Sequence, residues 1–225
     1  MSRAGRPPPG RQLRERLRTA RSRTPSSQRW LERQLNDPYV AAARHQGYRS
    51  RAAWKLEQMD DRYRLIPRGG RVVDLGAAPG GWTQVAIERT GPGGRVLAVD
   101  INEMEPLAGA EVMQLDFTAE GADEIVRARL DGPVDLVLSD MAQPATGHRQ
   151  TDHIRIMLLC ELALDFALGV LKPGGAFVAK VLKGGTENEL LLRMKQHFAA
   201  VRHAKPDASR KDSAEAYVVA IGFKG

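Results

Sequence analysis

Lysine is scarce in this chain, and its placement is therefore informative. Of 34 basic residues 26 are Arg and 8 are Lys, and no Lys precedes Lys55. An arginine keeps its proton under ordinary conditions, whereas a lysine amine can accept one. Lys180 stands inside Ala176-Phe177-Val178-Ala179-Lys180-Val181, an apolar run of the type buried on both faces of a sheet. Burial there disfavours the ammonium, and a neighbouring lysine would disfavour it further, so Lys180 is a candidate general base for a hydroxyl proton. Taken alone, it reads equally well as a strand-end lysine snorkelling to solvent. Asp140 closes the run Val134-Asp135-Leu136-Val137-Leu138-Ser139. That puts a carboxylate at a strand's carboxyl end, where open α/β sheets bind ligands. Glu215, just before the last apolar run, reads by itself as a solvated carboxylate.

A second constellation is Asp74-Leu75-Gly76-Ala77-Ala78-Pro79-Gly80-Gly81-Trp82, which leaves the strand-like run Arg71-Val72-Val73. Glycines in such a turn let backbone approach a ligand closely. Gly76 is followed two positions on by Ala78, so the dinucleotide fingerprint fails, and no P-loop is present. What remains is a nucleoside-binding turn without a pyrophosphate grip, which points to S-adenosylmethionine. Asp100 ends the next strand-like run and suits the ribose hydroxyls; Asp116 ends the third and suits the adenine amino group. Asp74 either joins them or only braces the turn.

The elements that must carry these residues alternate along the chain. Strands are predicted at about 71–75, 95–99, 111–115, 134–139, 175–182, 199–204 and 216–223, and helices at about 81–90, 120–130, 152–171 and 187–197. The alternation predicts an α/β fold with a seven-stranded, mostly parallel sheet, helices on both faces and the last strand antiparallel. Upstream, Ala53, Leu56 and Met59 recur at three-residue spacing in a helix that also holds Lys55.

Charge is uneven. Residues 1–51 hold 13 Arg or Lys against 3 Asp or Glu, while the other 174 hold 21 against 24. This predicts a basic arm for a polyanion on a near-neutral body, or else a merely solubilising tail. Residues 1–28, rich in Arg, Pro, Ser and Gly, are expected to be disordered. Arg44-His45-Gln46-Gly47-Tyr48-Arg49-Ser50-Arg51 interleaves cations with an aromatic, a pattern suited to RNA phosphates and base stacking. The blander reading of Tyr48 and Trp54 is packing onto the sheet. Cys160 is the single cysteine, which excludes a disulfide framework and implies a cytoplasmic protein. The five histidines lack zinc spacing, so no metal is expected. There is no secretory h-region, and the apolar stretch Ile156–Leu171 is short and interrupted by Glu161 and Asp165, so no membrane association is expected.

Arg29-Trp30-Leu31, Tyr48-Arg49-Ser50-Arg51-Ala52, Lys55-Leu56, Val73 to Trp82, Ser139-Asp140-Met141-Ala142, Pro173-Gly174-Gly175, Lys180-Val181 and Lys205-Pro206-Asp207-Ala208-Ser209-Arg210 together carry a resemblance. From about Ser27 onward the chain resembles the FtsJ/RrmJ-type ribosomal RNA 2′-O-ribose methyltransferases, bacterial enzymes acting on a uridine of 23S rRNA. The resemblance implies a Rossmann-like S-adenosylmethionine-dependent methyltransferase domain over 29–225, with 29–66 its helical, RNA-facing part. It implies that the family's Lys-Asp-Lys-Glu tetrad is Lys55, Asp140, Lys180 and Glu215. Lys180 would be the proton acceptor, and Gly80, Trp82, Asp100, Asp116 and Asp140 would contact S-adenosylmethionine. The implied partner is ribosomal RNA within the 50S subunit, with no obligate protein partner. Other readings are 2′-O-methylation of tRNA or an mRNA cap, a small-molecule methyltransferase, and an RNA-binding ribosome assembly factor without activity. The chain departs from the family at Gln143-Pro144, where Pro-Asn is usual, and in its longer arginine-rich start.

Overall fold

Apolar runs closed off by glycine, proline or acidic residues form seven strands: β1 (Arg71–Leu75), β2 (Arg95–Asp100), β3 (Ala110–Gln114), β4 (Val134–Ser139), β5 (Leu171–Leu182), β6 (Phe198–Ala204) and β7 (Glu215–Phe223). Among the described residues, helices α1 (Pro38–Gln46) and α2 (Ala53–Tyr63) precede the sheet, and α3 (Gly81–Thr90), α4 (Ala122–Arg127), α5 (Arg149–Val170) and α6 (Glu187–His197) lie between its strands. The computed structural model describes residues 28, 31–32, 35–144, 146–182, 187–210 and 212–225. The expectations for residues 1–27 and for Arg29-Trp30 lie outside these.

The sheet runs in the order β3-β2-β1-β4-β5-β7-β6. Neighbours from β3 to β5 are parallel, and β7 is antiparallel to both β5 and β6. The expected mostly parallel seven-stranded sheet with a reversed last strand is therefore present. Strand β7 is inserted between β5 and β6, so it completes two ladders at once. The strand order reverses at β1 and β4, which opens a crevice at their carboxyl ends.

Strand residues alternate between two cores. Val73, Leu75, Val137, Phe177, Ala179 and Val218 face one side, where they pack with α5 residues such as Ala163 and Leu164. Val72, Leu136, Leu138, Val178, Tyr217 and Val219 face the other, with Leu56 and Met59 of α2 and Val85 of α3. Burying each large aliphatic side chain contributes about 1.5–3 kcal/mol, so the two-sided core fixes the strand register firmly. Among the described residues no helix is long and apolar enough to cross a membrane.

The two leading helices have explicit boundaries. Helix α1 starts where the Asp37 side chain accepts from Tyr39 N–H at 3.0 Å and Pro38 presets the first turn. Helix α2 ends at Arg64, a non-glycine residue with φ 55°. The turn is held by Asp60, whose Oδ1 accepts from the N–H groups of Leu65 and Ile66, both at 2.9 Å.

Candidate active site

The crevice at the switch point is a cleft of about 350 Å³. The turn after β1 floors it. Gly76 N–H donates to Val99 O at 2.8 Å, and Asp140 N–H donates to Leu75 O at 3.0 Å, which ties the tips of β1, β2 and β4 together. Gly76 has φ +78°, and a Cβ there would lie 2.6 Å from Met141 N, so the two strand tips meet only because the residue is glycine. Helix α3 begins at Gly80 with no side-chain cap, leaving its first N–H groups directed toward the turn.

Asp100, Asp116 and Asp140 all line the cleft, with Ile101, Phe117 and Met141 as apolar wall. Asp100 accepts from Ala78 N–H at 2.9 Å and from Asn102 N–H at 2.7 Å. Asp116 accepts from the hydroxyl and N–H of Thr118, which hold its carboxyl below the usual carboxylate range. Each carboxylate has lone pairs left for a ligand. Among the described lining residues the one cation is Lys180. A cleft so acidic suits a cationic nucleoside and disfavours a pyrophosphate. The chemistry of the donor set thus fits S-adenosylmethionine, with its sulfonium and ammonium.

Two expected contacts fall differently. Trp82 does not line the cleft: its indole N–H donates to Ala52 O at 2.8 Å, and its ring tilts against Tyr217 at 5.5 Å between centroids. The side chain serves to pin the start of α2. Gly80 does not line the cleft either, and its N–H donates to Ala77 O at 2.7 Å. Asp74 is fully buried under the turn, and Thr83 Oγ1 donates to its Oδ2 at 2.7 Å. It braces the turn. Burial pushes its carboxyl up to about 7, Thr83 opposes the shift, and the nearby charges of Asp140 and Asp100 add to it.

At the edge of the cleft the predicted tetrad converges. Ser139 pairs with Ala179, so Asp140 emerges beside Lys180; Lys180 pairs in turn with Tyr217, and Leu182 with Glu215. Residues two apart on a strand share a face, so Lys180, Glu215 and Tyr217 all point toward α2, which presents Lys55. Lys180 Nζ sits 2.9 Å from Asp140 Oδ1 and donates to Asp140 O at 2.9 Å. Lys55 Nζ sits 2.6 Å from Glu215 Oε1 and donates to the Tyr217 hydroxyl at 3.1 Å. That hydroxyl is 3.0 Å from Asp140 Oδ1 and 3.2 Å from Glu215 Oε1. The chain of contacts is Glu215–Lys55–Tyr217–Asp140–Lys180.

Lys55 and Lys180 are neighbours linked through Tyr217 and Asp140, and each ammonium has its own carboxylate. Burial alone would raise the Glu215 carboxyl, but the charge and hydrogen bond of Lys55 hold it below its ordinary value, helped by Lys180 and Tyr217. Tyr217 is the residue that sequence reasoning missed. Burial, then the charges of Asp140 and Glu215, push its phenol well above the ordinary tyrosine value. It stays protonated, donating to one carboxylate while accepting from Lys55.

The basic segment 44–51 also differs from expectation. Tyr48 is buried, stacked edge-on against Trp54 at 5.5 Å, with its hydroxyl donating to Glu88 Oε2 at 2.9 Å. Arg51 pairs with Asp37 and donates to Ala208 O. These side chains hold the fold, because the segment lies flat on α3, and Arg44 and His45 remain as its exposed basic residues.

Residues 48–223 match the FtsJ-like methyltransferase family, spanning α2, the cleft and all four tetrad residues. The chain belongs to the FtsJ-like methyltransferase family. Among its relatives, a Parvibaculum lavamentivorans protein named ribosomal RNA large subunit methyltransferase E is 61% identical over 96% of this chain and 89% of its own. An Azorhizobium caulinodans protein of the same name is 54% identical over 100% of this chain and 95% of its own. A crystal structure of a Plasmodium falciparum ribosomal RNA methyltransferase superposes with a TM-score of 0.71 at 29% identity, covering 79% of this chain and 100% of that one. The likeness to that solved structure supports the α/β architecture described above.

Proposed function

We propose that this FtsJ-like methyltransferase transfers a methyl group from S-adenosylmethionine to a ribose 2′-hydroxyl of a uridine in 23S ribosomal RNA, acting in the cytoplasm on the large subunit. The observation that carries the reading is the contact chain from Glu215 to Lys180, which ends at the mouth of an acidic, nucleoside-sized cleft. The names of the curated relatives support the ribosomal substrate.

S-adenosylmethionine supplies an electrophilic methyl group when bound. Asp100 would hold its ribose, Asp116 its adenine edge, and the first N–H groups of α3, at Gly81 and Trp82, its remaining polar end. Asp140, shared between the cleft and the tetrad, offers a carboxylate toward the positive end of the ligand while steering Lys180. Lys180, once it has released its ammonium proton to solvent, takes the proton of the 2′-hydroxyl as the neutral amine. Lys55, fixed by Glu215 and Tyr217, orients the acceptor ribose. Much of the acceleration is then alignment of the oxygen with the methyl group.

The test is transfer of labelled methyl to large-subunit RNA, with the product mapped by mass spectrometry of nucleosides, for the wild type and for Lys180→Arg. Lys180→Arg keeps the charge but cannot take the proton, so it should bind S-adenosylhomocysteine normally and lose transfer by about 10²-fold or more. Label on a base, on tRNA alone or on no RNA would overturn the reading. Substantial turnover by Lys180→Arg would remove Lys180 as proton acceptor.

A further inference from the structure

The segment 47–52 is fastened across the start of α3 by several independent contacts. Gln84 accepts from Arg49 N–H at 2.7 Å and donates to Gly47 O at 2.9 Å, Tyr48 holds Glu88, and Trp82 holds Ala52 O. The Arg49 side chain does something different. It extends past Gly80 and donates to Pro79 O at 3.3 Å, Glu105 O at 2.6 Å and Pro106 O at 2.9 Å. Pro79 belongs to the turn after β1, and Glu105 and Pro106 to the loop after β2. That loop directly continues Asp100, Ile101 and Asn102, which form one wall of the cleft.

The wall is tied to its neighbours at Asp100, through Ala78 N–H and Leu115 N–H, and at Ile101, whose O accepts from Gln114 at 3.1 Å, whereas Arg49 holds the loop beyond it at Glu105 and Pro106. Beneath it the apolar cluster is small: Met104 is buried only with Ala77 and Ala98, and Leu107 is partly buried against them. A short loop with so small a core is held mainly by polar tethers. A guanidinium can bridge three carbonyls at once because its donors lie in a rigid planar fork. The crossing point is tight: a Cβ on Gly80 would meet Leu107 Cδ1 at 3.0 Å and Arg49 Nη1 at 3.2 Å.

We propose that Arg49 is a positioning residue for the cofactor, closing the loop after β2 against the glycine turn and so setting the width of the S-adenosylmethionine cleft. This inference rests on the cofactor reading given above. It assigns Arg49 to the cofactor side of the site, although its sequence context reads as an RNA contact. Because Gln84, Tyr48 and Trp82 hold the segment leading to Lys55 without help from the Arg49 side chain, Arg49 acts on cofactor affinity and not on the chemical step.

The experiment compares the wild type with Arg49→Ala and Arg49→Lys. Calorimetry with S-adenosylhomocysteine should show Kd raised about 10- to 100-fold in Arg49→Ala, since three charge-assisted bonds are lost. Arg49→Lys should fall between, because one ammonium cannot span both loops. At saturating S-adenosylmethionine, kcat should stay within about threefold of wild type and KM for RNA should not move. Hydrogen exchange should quicken at residues 101–109 and not in α2 or α3. Should Arg49→Ala fold poorly, Arg49→Lys, which retains the cation, carries the same comparison. Unchanged cofactor Kd in a variant whose loop exchanges as in wild type would overturn the proposal. So would a rise in KM for RNA alone, which would return Arg49 to the RNA surface. Failure of the wild type itself to bind S-adenosylhomocysteine would instead sink the cofactor reading on which this rests.

Discussion

Tyr217 joins the two lysine–carboxylate pairs, and a single oxygen carries that role. Tyr217→Phe keeps the ring against Trp82 and removes only the hydroxyl. The loss leaves Lys55 with Glu215 alone and Asp140 Oδ1 with Lys180 alone, costing about 1–3 kcal/mol of alignment. Expected is a 10- to 100-fold fall in kcat, with melting temperature and cofactor Kd nearly unchanged; a rise in KM for RNA with kcat unchanged would make the hydroxyl a binding group. The hydroxyl was legible in principle: Tyr217 is two residues from Glu215, and strand periodicity puts both on one face. It was missed because Tyr217-Val218-Val219 also reads as plain core. Asp74 sets a different test. The folded protein keeps its proton up to about pH 7, whereas an unfolded aspartate releases it near pH 4. Between those values the unfolded state binds fewer protons, so stability falls as pH rises through the window and levels off above it. Asp74→Asn removes the titration. It should gain stability over the wild type progressively from about pH 4 to 7, by a few kcal/mol at most, as read by urea denaturation of the cofactor-free proteins. A stability gap independent of pH would mean that Asp74 is ionised throughout.

Elements rather than residues decide how Lys55 arrives at the sheet. Asp37 caps α1 and also faces Arg51 and Arg210, so one carboxylate locks the first helix to the segment before α2 and to the turn before β7. Asp37→Asn keeps the cap and loses the charge, which should cost about 1–3 kcal/mol at this poorly exposed position. Asp37→Ala should cost about 1 kcal/mol more through the lost cap. Equal losses in denaturant titrations would show that the cap contributes nothing. At this scale the sequence was highly legible. Every predicted strand exists within a few residues, because β-branched runs between turn signals admit few alternatives, and Ala53, Leu56 and Met59 are all buried as their spacing implied. What it hid were tertiary partnerships. Arg49, Arg51 and Tyr48 read as RNA contacts because sequence gives their charge and aromaticity but not the carbonyls and carboxylates waiting for them. The family resemblance implied Trp82 as a cofactor contact, and nothing local in the sequence shows that Ala52 O claims its indole.

Over the whole molecule, positive charge is concentrated at the start of the chain: residues 1–26 hold eight Arg and one Glu. With Arg49 and Arg51 committed internally, long-range affinity for RNA should rest heavily on that stretch. Deleting residues 1–26 should flatten the dependence of RNA affinity on salt by several counterions while kcat at saturating RNA holds; an identical salt slope would make the stretch irrelevant to binding. The sheet order has a consequence of another kind. Strand β6 is made before β7 but can join the sheet only through it, and until then β5 presents Phe177-Val178-Ala179 along a bare, unpaired border. A chain caught at that stage carries a sticky template for other chains. The strand that seals the border also delivers Glu215 and Tyr217. Protection against self-association and completion of the proposed catalytic cluster are thus one folding event, and a molecule able to methylate is already one that cannot zip onto its neighbours there.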